Sequence, residues 1–446
     1  MTDKKTKNDF IQKFVEKKNN ARKKKKDAKK NIQPEKATKT GNLRIPSRLE
    51  RLFEQYIEIK TGKPVDSPQI IEKIKNSILA QKAGYWNKSP HAKYGKAYDV
   101  FAYMAYQAPG YIIQFKSILK ILENDKVLAK DLVVLDLGTG PGVVPLSLIW
   151  YMKEKRSGTL TIHAIEQSEE FLEAFRYLIS SFATESSIKT GIISHTDIKS
   201  VPESIPDELN LITCQNVLAE LPDMSNSEKV TLLMKYISHL SDDGFLVIVE
   251  PAELRHSTQL RILQKELEKA GLYVYSPCRY LHDGSCNPEN CWSFLELPLM
   301  KSTRLMDLLS QDKDGYRFVN TDIKCSYSIL SKKPRPLISH VGMEELIPFY
   351  SLEDYLGEKI SVAGVKLSND IGTRDFAIFL ICDGTGSHKV YLIIPRTLKT
   401  EEVKMARYAN YGDILRIDNV RVRWNPKKNS YNLVSGTRTR VSAMNK

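Results

Sequence analysis

Residues 132–146, LVVLDLGTGPGVVPL, combine a short apolar run, a turn that contains three glycines and the beginning of an apolar helix. This order predicts a buried strand, a tight turn and a helix. Gly138, Gly140 and Gly142 allow the backbone to turn sharply and to approach a ligand closely. The helix N-terminus adds unpaired N–H groups. The stretch therefore predicts a ligand-binding turn at the end of a buried strand.

The spacing of these glycines separates two kinds of nucleotide-binding turn. A dinucleotide-binding turn has its third glycine at position 143, where this chain has Val143, so nicotinamide binding is disfavoured. The spacing from Asp136 through Gly138 and Gly140 to Gly142 instead resembles motif I of the class I S-adenosylmethionine-dependent methyltransferases. The resemblance implies that these four residues bind that cofactor.

Further strands are predicted after this turn, and polar side chains stand where three of them end. The predicted strands span residues 160–165, 190–195, 210–214, 244–249, 271–276 and 326–331. Glu166 ends the second strand, where a carboxylate can accept hydrogen bonds from the ribose hydroxyls of an adenosine. The resemblance implies that Asp197, after the third strand, binds the adenine amino group, and Gln215 at the end of the fourth is a further candidate contact. Either acid could instead be a solvated loop residue.

The alternation of strands and helices predicts an α/β fold, a class I methyltransferase (Rossmann-like) doubly wound sheet. Its ligand is expected across the carboxyl ends of the parallel strands. The seventh strand is expected to run antiparallel between the fifth and the sixth.

The segment after the fourth strand leaves catalysis open. Base N-methyltransferases often have an Asn/Asp-Pro-Pro-aromatic turn here, whereas this chain has QNVLAELP at residues 215–222. No adjacent cysteine pair suggests covalent attack on carbon-5 of a pyrimidine. Asn216 and Glu220 are candidate catalytic residues, with helix capping and packing as alternative roles.

Three of the six cysteines, Cys278, Cys286 and Cys291, lie in one loop-like segment. The antiparallel seventh strand is expected to bring Cys325 back beside them. Iron–sulfur clusters take four thiolates from irregular loops and tolerate such spacing. Zinc is the alternative, although spacings of seven and four intervening residues fit the usual zinc knuckle only in part. His282 could replace one ligand, or the cysteines could be reduced bystanders.

A series of short motifs, in chain order, resembles a known family. They are the glycine turn, LVIVEP at 246–251, SPC at 276–278, HDGSC at 282–286, CWSF at 291–294 and KCSY at 324–327. Over residues 45–335 the chain resembles the methyltransferase-like proteins of the mitochondrial small ribosomal subunit, of the methyltransferase-like protein 17 type, and their prokaryotic relatives. The resemblance implies a four-cysteine [4Fe–4S] cluster and association with small-subunit ribosomal RNA. Mitochondrial relatives take their fourth cysteine from beyond the last strand, where this chain offers Cys382, so the assignment of Cys325 rests on topology.

Basic residues are concentrated at the N-terminus. Residues 1–40 hold 15 Lys or Arg and 5 Asp or Glu, which gives a balance of +10 out of the net charge of +14. A run formed by Lys23, Lys24, Lys25 and Lys26 predicts a disordered arm that binds the phosphates of RNA or DNA with release of counterions. A solubilising tail and a localisation signal are the alternatives.

The composition indicates a soluble protein in a reducing compartment. Six cysteines in 446 residues are too few for a disulfide scaffold, which is typical of intracellular proteins. No apolar run reaches the roughly 18 residues of a membrane span, and no signal-peptide core follows Met1. We therefore expect a cytoplasmic location.

The last hundred residues have the pattern of a small β-barrel. Strand-like runs at 357–366, 375–384, 389–394, 413–417 and 431–434, with a helix at 399–408, resemble an OB-fold. Tyr391, Trp424 and Tyr431 are expected to be exposed and interleave with Arg421 and Arg423. Such a surface predicts binding of single-stranded nucleic acid. The alternative is a β domain whose aromatic side chains lie in its core or face a protein.

The predicted domains are a basic arm at 1–40, a helical domain at 41–125, a methyltransferase-like domain at 126–335 with a cysteine insertion at 277–325, and the OB-like domain at 345–446. We expect a monomeric assembly or translation factor of the small ribosomal subunit that binds S-adenosylmethionine, the cluster and ribosomal RNA. An active RNA methyltransferase and a redox- or iron-sensing RNA-binding module are the alternatives.

Overall fold

The structure, a computed structural model, describes residues 43–86, 97–282, 286–311, 317–334, 345–386 and 388–444. The predicted basic arm, with Lys23–Lys26, lies outside these residues. None of the helices in the described ranges is long and apolar enough to cross a membrane.

The first layer of the fold is a mixed sheet. Its strands are β1 (Leu132–Leu137), β2 (Leu160–Glu166), β3 (Ile188–His195), β4 (Leu209–Gln215), β5 (Leu240–Pro251), β6 (Tyr273–Ser276), β7 (Leu295–Glu296) and β8 (Lys324–Ser331). Their order is β3-β2-β1-β4-β5-β8-β6, and β7 pairs with β8. Strands β1 to β5 pair in parallel, whereas β8 is antiparallel to both β5 and β6. This order confirms the predicted doubly wound methyltransferase fold, including its antiparallel strand.

Helices cover both faces of this sheet. They are α1 (Ser47–Thr61), α2 (Pro68–Trp86), α3 (Ala97–Tyr106), α4 (Ala108–Asn124), α5 (Val143–Lys155), α6 (Glu169–Phe182), α7 (Asn226–Ile237), α8 (Leu254–Lys269) and α9 (Arg304–Leu309), with α10 (Glu401–Tyr408) in the C-terminal region. Strands buried on both faces are expected to be mainly apolar. Strand β1 is apolar except for Asp136, and β4 is apolar except for Asn210, Thr213 and Gln215.

The N-terminal helices share one hydrophobic core with the sheet. Phe53 of α1, Phe101 of α3 and Ile118 of α4 belong to the same buried cluster as Val134 of β1 and Val247 of β5. Helices α1 to α4 therefore cover the sheet and hold its position, although their sequence carries no candidate chemistry.

The C-terminal region is a closed barrel. Its strands are β9 (Lys359–Lys366), β10 (Phe376–Cys382), β11 (Lys389–Pro395), β12 (Ile414–Asn425), β13 (Ser430–Val434) and β14 (Arg440–Ala443). Strand β13 pairs in parallel with β11 and antiparallel with β12, and β12 pairs with β9, which closes the barrel. With α10 between β11 and β12, this is the connectivity of an OB-fold, as predicted. Strand β12 is longer than expected because it continues through an irregularity between Ile417 and Val420.

The barrel packs against the segment that follows β6. The backbone N–H of Leu281 donates to the carbonyl oxygen of Asp383 at 3.0 Å. The rings of Tyr327 in β8 and Tyr411 before β12 lie 5.8 Å apart. Leu281 also belongs to a buried cluster with barrel residues such as Val365. The barrel and this edge of the sheet therefore form a continuous interface.

Candidate functional site

The glycine turn has the tight backbone turn that its sequence predicts. Gly138, Gly140 and Gly142 have φ angles of +65°, +55° and +91°. Residues other than glycine rarely adopt such positive φ angles. A Cβ at Gly138 would lie 2.6 Å from Val217, and one at Gly142 would lie 3.0 Å from Phe175. At Gly140 a Cβ would meet only Phe171, at 3.8 Å. Packing therefore requires the outer two glycines, whereas the middle one borders open space.

Asp136 is a buried carboxylic acid at the end of β1. Its Oδ1 accepts a hydrogen bond of 2.6 Å from Thr213 Oγ1. Its Oδ2 has no hydrogen-bond partner among the described residues. Burial raises the pKa of Asp136 to about 7, against the opposing effect of the Thr213 hydrogen bond. This side chain is therefore partly neutral near neutral pH and can be ionised by a nearby cation.

Glu166 contacts the glycine turn directly. Its Oε2 accepts from the Gly140 N–H and its Oε1 from the Ser168 N–H, both at 2.9 Å. Burial raises the pKa of Glu166, opposed by the hydrogen bond from Ser168. The Thr196 N–H donates to the carbonyl oxygen of Glu166 at 3.0 Å, which places the segment of Asp197 beside this strand end. Asp197 is half-buried and accepts at 2.9 Å from the Lys199 N–H.

Gln215 is held by the N-terminal helices. Its Nε2 donates to the carbonyl oxygen of Tyr111 and to Gln114 Oε1, each at 3.2 Å. Gln114 Nε2 in turn donates at 3.1 Å to the carbonyl oxygen of Lys324 in β8. Sequence reasoning missed Gln114, although a polar residue within the apolar helix α4 was a signal for it.

Glu250, at the end of β5, was also missed. Its Oε1 accepts at 3.0 Å from the Leu218 N–H. Burial raises the pKa of Glu250 to about 8. Its Oε2 and the Nδ2 of Asn216 are buried without a hydrogen-bond partner in the described part of the chain.

Unpartnered polar atoms thus collect where β1, β4 and β5 end. They are Asp136 Oδ2, Thr139 Oγ1, Gln215 Oε1, Asn216 Nδ2 and Glu250 Oε2, and the Thr139 hydroxyl is close enough to Asp136 to lower the pKa of this acid. Buried polar groups nearly always have a partner, so such a group indicates a missing ligand or water. The arrangement fits a polar, positively charged ligand bound at the carboxyl edge of the sheet.

The two catalytic candidates lie in different environments. Asn216 has a φ of +59°, and its N–H donates to the carbonyl oxygen of Val249 at 2.8 Å. Glu220 is exposed at the end of the short 3-10 helix Leu218–Glu220. Only Asn216 therefore borders the unpartnered polar atoms.

The cysteines of the loop line a cavity between the sheet edge and the barrel. Cys278, Cys286, Cys291 and Cys382 all border this cavity of about 80 Å³. Burial raises the pKa of the Cys278 thiol, and the neighbouring Cys291 raises it further. The pKa of Cys382 is likewise raised by burial first, then by Cys291.

Cys325, the expected fourth member of the group, does not border this cavity. It is 1% exposed and pairs with both Pro251 in β5 and Leu295 in β7. Burial alone raises the pKa of its thiol to about 12. The additional strand β7 makes Cys325 an interior sheet residue, and docking of the barrel brings Cys382 to the loop instead.

The thiols are not arranged as a formed metal site. Within the described ranges, no group of three or more His, Cys, Asp or Glu side chains is positioned to hold a metal ion. His282 Nε2 is buried without a hydrogen-bond partner in those ranges. Residues 283–285, between His282 and Cys286, lie outside the described residues.

Arg261 of α8 borders the same cavity and is 2% exposed. Burial works to lower the pKa of its guanidinium, but Cys278, Tyr411 and Cys291 outweigh burial and raise it. The cavity therefore combines thiols with a buried positive charge.

The predicted aromatic surface of the barrel is only partly exposed. Trp424 is 37% exposed, whereas Tyr431 is 9% exposed and belongs to the barrel core, and Tyr391 is half-buried. The expectation of three exposed aromatic side chains was therefore wrong for Tyr431, because alternation along β13 places it on the core face with Leu433. Arg421 and Arg423 are exposed on β12.

The strand order and the glycine turn define a class I methyltransferase fold. The family described as mitochondrial small ribosomal subunit Rsm22 matches residues 97–321, which is half of the chain. The chain therefore belongs to the Rsm22 family. Residues 350–444 match a C-terminal domain of unknown function, DUF8157.

Solved structures with a similar fold include methyltransferases. The plantazolicin methyltransferase BpumL is 11% identical with a TM-score of 0.33, over 60% of this chain and all of that one. An S-adenosylmethionine-dependent methyltransferase from Clostridium acetobutylicum is 11% identical with a TM-score of 0.30, over 49% of this chain and 91% of that one. No curated protein matches the chain.

The buried Glu250 predicts a pH-dependent stability. Its pKa is higher in the folded chain, about 8, than in the unfolded chain, so folding retains its proton. That contribution is present at low pH and is lost as the pH rises from about 4 to 8. Glu250→Gln should therefore be more stable than the wild type above pH 8, by on the order of a few kcal/mol.

Urea denaturation of the ligand-free protein at pH 6 and pH 9 measures this effect. Glu253→Gln, which changes an exposed acid nearby, should leave the pH dependence unchanged. A Glu250→Gln protein whose stability follows the wild type at both pH values would contradict the prediction.

Proposed function

We propose that this chain binds S-adenosylmethionine at the carboxyl ends of β1, β2 and β4 and acts on the small ribosomal subunit as an assembly or translation factor. Membership of the Rsm22 family supports the ribosomal partner. The observation that carries cofactor binding is the set of unpartnered polar atoms where β1, β4 and β5 end. When bound, this cofactor supplies a methyl group from a sulfur atom that carries a positive charge.

The roles of the cleft residues follow from their chemistry. Asp136, whose pKa burial raises to about 7, would ionise beside a cationic ligand and attract it. Glu166 would accept hydrogen bonds from the ribose hydroxyls, because each carboxylate oxygen can accept more than the one hydrogen bond it has here. Gly140 leaves space for the ligand beside the turn. Asp197 remains a proposed adenine contact.

Methyl transfer to ribosomal RNA is the second candidate function. The unpartnered Nδ2 of Asn216 favours it, because this atom lies at the end of β4, where related enzymes orient a target base. Glu220 is exposed and has no assigned part in this proposal.

We also propose that Cys278, Cys286, Cys291 and Cys382 ligate a [4Fe–4S] cluster. Their common cavity supports this choice of ligands, and iron–sulfur clusters accept thiolates from irregular loops. Because Cys382 belongs to the barrel, the cluster would join the two domains. Metal binding would then be coupled to the folding of this interface.

The barrel and the N-terminal arm are proposed to bind RNA. Arg421 and Arg423 offer exposed positive charge on β12, and Trp424 offers a partly exposed ring. Lys23–Lys26 add charge in a run suited to phosphates. Stacking and charge together are typical of surfaces that bind single strands.

Gly140→Ala tests the cofactor site. The new methyl group fills the open space beside the turn, so the affinity for S-adenosylmethionine measured by calorimetry should fall at least about tenfold, or 1.4 kcal/mol. The control is Gly62→Ala, which has a similar φ of +64° and no atom within 4 Å of its new Cβ, and so has comparable backbone strain. Equal affinity in the wild type and the Gly140→Ala protein would remove the cofactor from this turn.

Cysteine variants test the cluster. Protein purified without oxygen should contain iron and acid-labile sulfide in near-equal amounts. Cys382→Ala should lose most of both, whereas Cys325→Ala should keep them, because Cys325 is a sheet residue away from the cavity. Iron retained in Cys382→Ala and lost in Cys325→Ala would reverse the ligand assignment, and stoichiometric zinc without sulfide would make the site a structural zinc centre.

Two changes separate stacking from charge in RNA binding. Trp424→Ala should weaken binding of a single-stranded ribosomal RNA fragment by about 1–3 kcal/mol with little effect on the salt dependence. Changing Lys23–Lys26 together to Gln should reduce the slope of log affinity against log salt by about 3. Tyr408→Ala, at a 65% exposed aromatic on α10, is the control. If neither variant loses affinity in fluorescence anisotropy, RNA binding through these residues is wrong.

A further inference from the structure

Arg261 is a buried charge without an acidic partner among the described residues. Its Nη1 donates to Gln264 Oε1 at 2.7 Å, its Nε to Ser293 Oγ at 3.4 Å and its Nη2 to Ser326 Oγ at 3.3 Å. All three acceptors are neutral. Burying an ion costs several kcal/mol unless an opposite charge compensates for it. The guanidinium therefore requires an anion.

The groups that face Arg261 show where this anion can form. The Ser293 hydroxyl that accepts a hydrogen bond from Arg261 Nε also accepts one, at 3.5 Å, from the Sγ of Cys291. Cysteine becomes a thiolate when it ligates a metal, and Cys278 and Cys291 border the same cavity as Arg261.

A metal held by four thiolates keeps a net negative charge. The thiolates outnumber the positive charges of a zinc ion or of an oxidised [4Fe–4S] core. In a buried cavity this excess charge is as unfavourable as an uncompensated guanidinium. The Arg261 guanidinium and the negatively charged metal–thiolate centre would therefore stabilise each other.

We propose that Arg261 is the counter-charge of the thiolate-ligated metal centre, positioned by Gln264, Ser293 and Ser326 before the metal binds. This inference rests on the proposed metal site but not on which metal occupies it. Arg261 is thus a positioning and charge-balancing residue, not a ligand.

The test uses Co²⁺ as a probe for the full-length protein after removal of metal under anaerobic conditions. Thiolate-to-Co²⁺ absorption gives the affinity, and melting of the metal-free and Co²⁺-loaded forms gives the stabilisation by metal. Arg261→Gln should lower the Co²⁺ affinity about 10- to 100-fold, as expected for a residue that supports a metal site through its ligands. Arg261→Lys keeps the charge and should lose much less.

The control is Arg255→Gln, which removes an exposed positive charge from the same helix and should leave the affinity unchanged. A purely structural Arg261 would lower the melting temperature of both forms equally, whereas a counter-charge lowers it mainly in the loaded form. Equal losses, or an unchanged Co²⁺ affinity, would overturn the inference and leave the metal site intact.

A wild-type protein that takes up no Co²⁺ would overturn the metal site and the inference together. If Arg261→Gln fails to fold, Arg261→Lys decides the matter. A near wild-type affinity supports the counter-charge, and a loss of tenfold or more overturns it.

Discussion

The antiparallel pairing of β8 between β5 and β6 is the constraint on which both candidate sites depend. The register runs from Phe245 opposite Ser331 to Pro251 opposite Cys325. Since β8 must begin where β5 and β6 end, the chain between Ser276 and Lys324 is directed over the carboxyl edge of the sheet. That segment carries the three loop cysteines and provides the surface on which the barrel packs. The cofactor cleft and the cysteine cavity therefore lie at the same edge.

One residue joins the two halves of this edge. Gln114 of α4 accepts a hydrogen bond from Gln215 at the end of β4 and donates one to Lys324 at the start of β8. The N-terminal helices thus position the end of the cofactor cleft relative to the strand that sets the cysteine segment. This contact adds a polar link to the apolar core that α4 shares with the sheet.

The charges of the two sites are opposite and complementary to their proposed ligands. The cleft holds buried acids, Asp136 and Glu250, whose pKa values burial raises to about 7 and about 8. Such acids favour a cationic ligand, because a nearby positive charge ionises them. The cysteine cavity holds a buried cation, Arg261, and favours an anionic centre. Each site therefore has buried charge or buried acids whose sign is opposite to that of the ligand proposed to bind there.

The sequence predicted the doubly wound sheet with its antiparallel strand, the glycine turn and the barrel, since these follow from local periodicity and from rules of strand connection. It named Cys382 only as an alternative to Cys325, because Cys382 comes to border the cavity of the loop cysteines through docking of the barrel, which leaves no local pattern. The burial of Tyr431 was within reach, as it shares its face of β13 with buried Leu433. The only sequence signal for Glu250 was its position as an acid at the end of an apolar strand.

The most direct test of the ribosomal assignment is crosslinking of the full-length protein to RNA in its own cells, followed by sequencing of the bound RNA. The account predicts crosslinks concentrated in small-subunit ribosomal RNA, with crosslinked peptides from the barrel and the N-terminal arm. Crosslinks spread over cellular RNAs in proportion to their abundance would contradict it.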